Sequence, residues 1–211
     1  TSHEKKLSWL LISVLLAARA VGIKPIIGCE VYVSPGSRFD REVNKGEDRY
    51  YHLVLLAENN TGYKNLSKIV SRGFTEGFYY KPRVDMEVLK EFHEGIIALS
   101  ACLAGEVAVN LRKGNYAGAK EAALRHLDIF GENNYFLEMQ DHGIPDQATV
   151  NAGVMRLSKE LGIPMVVTND SHYIYAEDAD AHDILLCIQT NKKVSDTDRM
   201  KYDGGQYYLK S

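Results

Sequence analysis

Side chains able to bind a metal ion lie at the ends of four of the five strands that the sequence predicts. They are two glutamates, a cysteine and an Asp-x-His pair, namely Glu30, Cys102, Glu138, Asp170 and His172. The remaining strand carries His52 near its start. Since residues two apart on an extended segment point the same way, Asp170 and His172 can converge on one ion. Carboxylate, imidazole and thiolate ligands together suit zinc, or manganese and iron where carboxylates dominate.

Each of these residues has a simpler explanation when it is taken alone. A single cysteine after an apolar run, such as Cys102, is more often a small buried hydrophobic residue than a ligand. A single histidine near a strand start, such as His52, usually only forms a hydrogen bond, and Glu30 could be a solvated loop carboxylate. It is the joint placement of these residues at strand ends that favours a metal site.

The elements that must position these residues alternate between short apolar strands and longer helices. The apolar runs predict strands at 23–33, 51–58, 95–102, 134–140 and 164–170. Segments of helical period predict helices near 62–72, 85–92, 104–112, 116–130, 146–161 and 176–189. Such alternation is typical of α/β folds with parallel strands, arranged as a barrel or as an open doubly wound sheet. In both arrangements active groups gather where strands end and loops begin.

The overall composition is that of an ordinary globular protein. The 211 residues include 25 Lys and Arg against 28 Asp and Glu, a net charge of −3, and 45% are hydrophobic. A chain of this length buries a sufficient core without a disulfide or a metal, so a metal site would be functional. The slight acidic excess argues against binding nucleic acid by bulk charge. Three scattered cysteines argue against a secreted disulfide framework and favour a reducing, cytoplasmic setting.

The N-terminal segment combines a basic pair with an apolar run. Lys5 and Lys6 precede the letters LSWLLISVLLAARA, which is the layout of a secretory signal. The run is too short to span a bilayer. Because it leads straight into VGIKP and a predicted strand, we favour a buried apolar helix over residues 1–20. A third interpretation is that this stretch does not represent the natural N-terminus.

Several strings of the sequence resemble one family. The segments GIKPIIGCEVYV, NNTGYKNL, KPRVD, SACLAGE, TNDSHY and AHDILLCIQT are similar to the polymerase and histidinol phosphatase (PHP) domain of bacterial replicative DNA polymerase III alpha subunits. The resemblance covers nearly everything from residue 20 to 211, and it is stronger than the resemblance to free-standing phosphatases of the superfamily. It implies a distorted (β/α)7 TIM-like barrel of the PHP type, with a polynuclear metal centre at the strand ends.

The resemblance also implies ligands and an activity. The metal ligands of the family fall on Glu30, His52, Cys102, Asp170 and His172, of which Asp170 and His172 would also be catalytic. In active members such a centre, of zinc or of manganese or iron, removes nucleotides from a primer 3′ end. The parent protein would be a cytoplasmic DNA-directed DNA polymerase. Its expected partners are primer-template DNA, a proofreading subunit and a sliding clamp, and no membrane is expected.

The sequence departs from the family at its start. The family opens with a His-x-His strand and a second strand ending in Asp-His, and neither is present, so the first βα units are missing or replaced. We therefore divide the chain into an atypical apolar helix at 1–20, a partial PHP barrel at 21–190, and a lead toward the polymerase region at 191–211. Two alternatives stay open: a catalytically inactive barrel that docks another subunit, and a stand-alone phosphatase.

Other polar and aromatic residues carry weaker indications. Lys81 and Arg83 could bind a phosphate of DNA, although a basic pair on a loop is usually solvated. His142 lies at a strand end but matches no ligand of the family, and His93 and His126 are interpreted as helix-surface groups. Tyrosines could stack on single-stranded bases, or could simply be half-buried with the hydroxyl in water. They include Tyr79, Tyr80, Tyr173, Tyr175, Tyr207 and Tyr208.

Overall fold

The computed structural model describes residues 13–42, 48–202 and 204–210. Residues 1–12, which make up most of the predicted apolar helix, lie outside the described residues. Residues 13–20 are helical (α1), but the side chains of Val14 and Leu16 are 58% and 61% exposed. The expectation of a buried helix is wrong for this part, because no residue of α1 joins the hydrophobic core.

No helix within the described ranges is long and apolar enough to cross a membrane.

Strands and helices follow α1 in alternation. The strands are β1 (Gly28–Val33), β2 (Tyr51–Ala57), β3 (Phe78–Tyr79), β4 (Lys81–Val84), β5 (Ile96–Leu99), β6 (Tyr135–Met139) and β7 (Met165–Val167). The helices are α2 (Asn60–Thr75), α3 (Met86–Glu91), α4 (Glu106–Arg112), α5 (Tyr116–Phe130), α6 (Pro145–Leu161) and α7 (Ala179–Thr190), the last preceded by a 3-10 turn at Ala176–Asp178. The five predicted strands and six predicted helices are confirmed, although β1 begins later than predicted. The sequence does not predict β3 and β4, because the string FYYKPRV is short and contains a proline.

The strands form one sheet in the order β3-β4-β1-β2-β5-β6-β7. Strands β1, β4, β5, β6 and β7 run in one direction, whereas β2 is antiparallel to both of its neighbours and β3 is antiparallel to β4. The prediction of parallel strands is therefore wrong for β2, whereas β3 is an additional antiparallel strand that the sequence does not predict. The described parts of the 34–50 connection contain no helix, and a parallel pair needs a crossover. Over the described ranges the sheet is open, with β3 and β7 at its edges, so the observed fold class is mixed α/β.

The register of β1 and β2 decides which side chains face the candidate site. Apolar residues alternate along both strands and pack in the hydrophobic core with Leu66 and Ile69 of α2. This buried set consists of Val31, Val33, Leu53 and Leu55, each at most 5% exposed. Glu30, Tyr32 and His52 occupy the intervening positions and so point to the opposite face. A slip of one residue would bury these polar groups, so the apolar face fixes the register.

Helix α2 lies very close to the turn that leads into β5. The Asn59 side chain caps α2 by accepting a hydrogen bond from the main-chain N–H of Gly62 (3.0 Å). A Cβ placed on Gly62 would lie 1.8 Å from the carbonyl oxygen of Gly95, so only glycine fits there. Gly95 itself has φ = +70°, in the left-handed region that favours glycine. This contact fixes the start of the strand that leads to Cys102.

Helix α5 packs against the core through an alanine-rich face, as its periodicity predicts. Ala122 and Ala123 are fully buried. His126, however, is only 3% exposed, so the interpretation of it as a surface group is wrong. Its Nδ1 hydrogen-bonds to the carbonyl oxygen of Ala122 (2.9 Å), and its ring stacks on Tyr135 of β6 at a centroid distance of 5.5 Å. Burial lowers the pKa of His126 to about 4.

Replacing Gly62 with alanine should destabilise the protein, although alanine normally stabilises a helix interior by about 1 kcal/mol relative to glycine. The added methyl group meets the Gly95 carbonyl, and relieving that overlap should cost about 1–3 kcal/mol of unfolding free energy. Urea unfolding measures the change. Lys64→Ala, at an exposed position of the same helix, is the control and should lie within about 0.5 kcal/mol of the wild type. A neutral or stabilising Gly62→Ala would contradict the close approach of α2 to this turn.

Acidification should destabilise the protein in part through His126. Its pKa is about 4 in the folded state and 6.5 without burial, so protonation favours the unfolded state. The stability that the neutral imidazole contributes is present above pH 6.5 and is lost as the pH falls toward 4. Between about pH 7.5 and about pH 5, the wild type should lose about 2 kcal/mol more unfolding free energy than His126→Phe. Chemical denaturation at both pH values measures the difference.

The control for this experiment is His93→Gln, because His93 is exposed on the surface. This variant should keep the pH dependence of the wild type. If His126→Phe and the wild type lost stability equally on acidification, the burial of a neutral imidazole in α5 would be contradicted.

Candidate metal centre

Three side chains from three separate elements meet at one point. Glu30 lies in β1, His52 in β2 and Cys102 shortly after β5. The Nδ1 atom of His52 lies 3.0 Å from Glu30 Oε1 and 3.7 Å from Cys102 Sγ. One donor atom from each residue lies within 4.8 Å of the other two. These three residues, the metal triad, therefore present oxygen, nitrogen and sulfur at a spacing that fits a single cation.

The electrostatics of the metal triad favour a positive charge at its centre. His52 Nδ1 faces two acceptors, and a single N–H cannot satisfy both. Burial opposes the charged imidazole, but hydrogen bonds to Cys102 and Glu30 outweigh it and raise the pKa of His52 to about 9. The potential that holds a proton there would also hold a cation. The donor set thus fits a divalent metal ion that accepts nitrogen, oxygen and sulfur ligands.

Cys102 is positioned by a tight loop that follows β5. Ala101 has φ = +66°, a left-handed conformation that a non-glycine residue rarely adopts. The main-chain N–H of His52 donates to the carbonyl oxygen of Ala104 (3.0 Å), which ties the loop to β2. This bond holds the thiol of Cys102 beside the imidazole.

Glu138 lies next to this loop but does not belong to the metal triad. It is 5% exposed, and its main-chain N–H donates to Ser100 Oγ (2.8 Å). Its carboxyl group accepts a hydrogen bond from the hydroxyl of Thr168, which follows β7. Burial raises the pKa of Glu138, and its Oε2 has no hydrogen-bond partner among the described residues. Glu138 therefore connects the loop that carries Cys102 to the end of β7.

Asp170 and His172 follow β7 and form a pair of their own. His172 Nε2 lies 3.4 Å from Asp170 Oδ1, so the two side chains are in contact, although the backbone between them is not extended as the spacing argument assumes. Asp170 has φ = +42°, which turns the chain sharply after the strand. Neither residue belongs to the group of donor atoms that forms the metal triad. That the pair shares a metal centre with the triad stays a prediction.

A cavity of about 390 Å³ lies between two residues of the metal triad and one residue of this pair. His52, Cys102 and Asp170 line it, together with Tyr202 and Tyr207 from the C-terminal segment. Burial and the nearby Asp170 carboxylate raise the pKa of both tyrosines, so their hydroxyl groups stay protonated at neutral pH. The volume lies within the range of small-molecule sites, about 300–1,000 Å³.

The C-terminal segment folds back onto the site. The main-chain N–H of His172 donates to the carbonyl oxygen of Tyr207 (2.8 Å), and Tyr173 pairs with Tyr208 in an isolated β-bridge. Tyr207 is only 6% exposed. The sequence does not predict this return, because two irregular segments far apart in the chain share no periodic pattern.

Comparison with known proteins agrees with this geometry. Residues 10–142, which include the whole metal triad, match the family model described as PHP domain. The chain belongs to the PHP domain family. The resemblance expected from the sequence is thereby confirmed, and the family match ends before Asp170 and His172.

The relatives of this PHP domain are long polymerase subunits. DNA polymerase III subunit alpha of Treponema pallidum (strain Nichols) is 51% identical over 192 residues, 91% of this chain and 16% of that protein. The subunit of the same name from Saccharopolyspora erythraea is 45% identical over 213 residues, covering 92% and 18%. That of Deinococcus radiodurans is 47% identical over 197 residues, covering 92% and 15%. The chain thus spans about a sixth of the length of these relatives.

His142, the last residue of the PHP match, supports the site without being free to bind a metal. It is 2% exposed, and the Gln147 amide donates to its Nδ1 (2.8 Å). The proton of the ring therefore lies on Nε2, which donates to the carbonyl oxygen of Asn169 (2.7 Å). Both ring nitrogens are used, so His142 fixes the backbone immediately before Asp170.

The two predicted phosphate contacts of the PHP domain differ in exposure. Arg83 is 1% exposed, and its guanidinium donates to the carbonyl oxygens of Arg38 (3.2 Å) and Asp40 (2.5 Å). The Arg83 guanidinium therefore holds the loop after β1 in place and is not available to bind a phosphate. Lys81 is exposed, and its ammonium nitrogen lies 5.3 Å from the ring centroid of Tyr32. Of the pair, Lys81 remains a candidate.

Cobalt(II) should bind this PHP domain through the thiolate of Cys102. Cys102→Ser removes the sulfur ligand, so the near-ultraviolet thiolate-to-cobalt absorption should disappear and the affinity should fall at least about tenfold. Cys29→Ser is the matched control, because Cys29 precedes Glu30 in β1 but does not belong to the metal triad. Titration followed by absorption spectroscopy measures both variants. A band that persists in Cys102→Ser, or one that is lost in Cys29→Ser, would place the ion elsewhere.

Proposed function

We propose that this chain is the PHP domain of a DNA polymerase III alpha subunit and that it hydrolyses phosphodiester bonds with bound divalent metal ions. The reaction would be the removal of nucleotides from a primer 3′ end, which is 3′–5′ exonuclease proofreading. The observation that carries the proposal is the convergence of Glu30, His52 and Cys102 beside a cavity that Asp170 also lines. A phosphate in this cavity would lie between the metal triad and Asp170.

Each residue of the site has its own proposed role. Glu30, His52 and Cys102 would hold one ion, and Asp170 with His172 would supply the further ligands of a polynuclear centre. A bound ion would lower the pKa of a water molecule, orient the attacked phosphate and stabilise the leaving oxygen.

Protonated tyrosines would assist the metal ligands. Tyr202 and Tyr207 line the cavity, and their hydroxyl groups would donate to the non-bridging oxygens of a phosphate. The thiolate of Cys102 favours zinc at the metal triad, whereas a carboxylate such as that of Asp170 equally accepts manganese or iron.

The wider expectations from the resemblance belong to the same proposal. In a (β/α)7 TIM-like barrel of the PHP type, further strands would continue the sheet beyond β7, where Met165 and Val167 are 43% and 78% exposed. Such strands would carry the His-x-His and Asp-His ligands that residues 1–20 do not contain. We propose residues 21–190 as the domain and 191–211 as the lead toward the polymerase region. The whole protein would work in the cytoplasm with primer-template DNA, a proofreading subunit and a sliding clamp.

A second candidate function is a catalytically inactive barrel that stabilises the polymerase and docks another subunit. The observation in its favour is that the metal triad offers three ligands while Asp170 and His172 form a separate pair. Three protein ligands suffice in many catalytic zinc sites, so this count does not decide between the two functions. A stand-alone phosphatase is disfavoured, because the relatives are polymerase subunits of which the chain spans about a sixth.

Replacing Asp170 with asparagine separates the two functions. Asparagine tolerates the left-handed φ of +42° at this position but carries no negative charge. Removal of nucleotides from a labelled primer should therefore fall at least about 100-fold, while the thermal melting temperature should change little. The assay uses this chain and the full-length protein that contains it.

The matched control is Asp128→Asn, on the exposed side of α5, which should keep the wild-type activity. A chelator should abolish the wild-type activity, and elemental analysis should find bound metal. Purified wild-type protein with neither metal nor chelator-sensitive cleavage would contradict the enzymatic proposal and favour the docking barrel. A large loss of folding in Asp170→Asn would identify this residue as structural.

A further inference from the structure

A row of aromatic and basic side chains extends outward from the metal triad. It runs over β1, the end of the 34–50 connection and the turn between β3 and β4. The row, here named the aromatic-basic strip, consists of Tyr32, Arg49, Tyr50, Tyr80 and Lys81. Neither the metal triad nor the cavity accounts for its outer half, because Arg49, Tyr80 and Lys81 line no part of that cavity.

The inner end of the aromatic-basic strip contacts a metal ligand. The ring centroids of Tyr32 and Tyr50 lie 5.2 Å and 6.1 Å from that of His52, and 4.8 Å from each other. The ring of Tyr50 is nearly parallel to the imidazole, with an interplanar angle of 7°. The strip therefore begins at the point where a reacting phosphate would bind.

The outer end of the strip carries positive charge without acidic partners. The Arg49 guanidinium lies 4.9 Å from the ring centroid of Tyr80, and the Lys81 ammonium lies 5.3 Å from that of Tyr32. Asp48, the acidic residue beside Arg49, is bound by Lys113 at 2.6 Å. Within the described ranges no acidic side chain forms a salt bridge with Arg49 or Lys81. Their charges are thus available to an anionic ligand.

Tyr80 is the residue of the strip that folding explains least. Its side chain is 67% exposed, so it contributes little to the core. Its φ of +60° is a conformation that a bulky residue adopts only at a cost, and glycine or asparagine would fit the turn better. A strained, exposed aromatic ring beside the unpaired guanidinium of Arg49 points to a ligand that stacks on it.

We propose that the aromatic-basic strip binds a single-stranded segment of nucleic acid whose end enters the cavity at the metal triad. This inference rests on the proposed function. Bases would stack on Tyr80, Tyr50 and Tyr32, and phosphates would bind Arg49 and Lys81 between them. A duplex offers no free base faces for such stacking, so the strip selects a frayed or single-stranded end. Alternation of rings and charges is the arrangement that sequence-independent single-strand binding uses.

The test measures binding without metal, so that it does not depend on catalysis. A fluorescein-labelled oligothymidylate of about 12 nucleotides is titrated with the 211-residue chain in EDTA and followed by fluorescence anisotropy. The double variant Tyr80→Asn, Lys81→Gln removes one ring and one charge while keeping a residue suited to the left-handed turn. Its affinity should fall at least about tenfold. Arg49→Gln, which leaves β3 and β4 untouched, should weaken binding about threefold and reduce the salt dependence.

The matched control removes one tyrosine ring and one lysine charge from a different surface of the protein. Tyr63 and Lys68 are exposed on α2, and the double variant Tyr63→Gln, Lys68→Gln should stay within about twofold of the wild type. Circular dichroism confirms that all variants are folded. Wild-type protein that fails to bind the oligonucleotide, or strip variants that bind as tightly as the control, would overturn the inference. If binding depends on the strip but the protein shows no metal-dependent cleavage, the binding role of the strip is supported and only the proposed function is contradicted.

Discussion

The antiparallel pairing of β2 with both β1 and β5 is the constraint on which the candidate metal centre depends. These two pairings place a glutamate of β1 on one side of His52 and the loop after β5 on the other. The hydrogen bond from His52 N–H to the Ala104 carbonyl extends the contact beyond β5 and holds Cys102 beside the imidazole. Leu53 and Leu55, buried on the opposite face, prevent a slip of the register. The triad, the cavity and the aromatic-basic strip all follow, because each includes or adjoins His52.

The sequence predicts those parts of the fold that neighbouring residues decide. Five strands and six helices are recognisable, because each has its own apolar period and its own ends. The direction of β2 depends on the path of the 34–50 connection, which has no period, and alternation of strands and helices alone favours a parallel sheet. His126 illustrates a different limit within a correctly predicted helix. It follows Ala119 and Ala122 at helical spacing, so the period of α5 indicates its burial, and only its polar type favours a surface position. The ring that it stacks on, Tyr135, belongs to β6 and cannot be read from the helix.

The candidate site also combines contacts between residues close in sequence with contacts that only the folded chain makes. Asp170 and His172 are close in sequence and contact each other directly, whereas Glu30 and Cys102 reach His52 through the pairing of β2 with β1 and β5, which the sequence does not predict. The contribution of the C-terminal segment could not be predicted in this way. Tyr207 stacks on His142 at a centroid distance of 4.1 Å, a contact between irregular segments that only the folded chain brings together.

Two of the four non-glycine residues with a positive φ among the described residues lie at the candidate ligands, and the other two are Tyr80 and Asn191. Ala101, directly before Cys102, and Asp170 itself both adopt a positive φ. The residue before each of them is bonded to a buried residue that is not part of the metal triad. The main-chain N–H of Glu138 donates to Ser100 Oγ, and the ring of His142 donates to the Asn169 carbonyl oxygen. Burying such groups costs stability and adds nothing to the apolar core, so it is maintained where the geometry of neighbouring side chains matters. These supports fix the backbone beside Cys102 and Asp170, which is what the proposed metal centre requires of them.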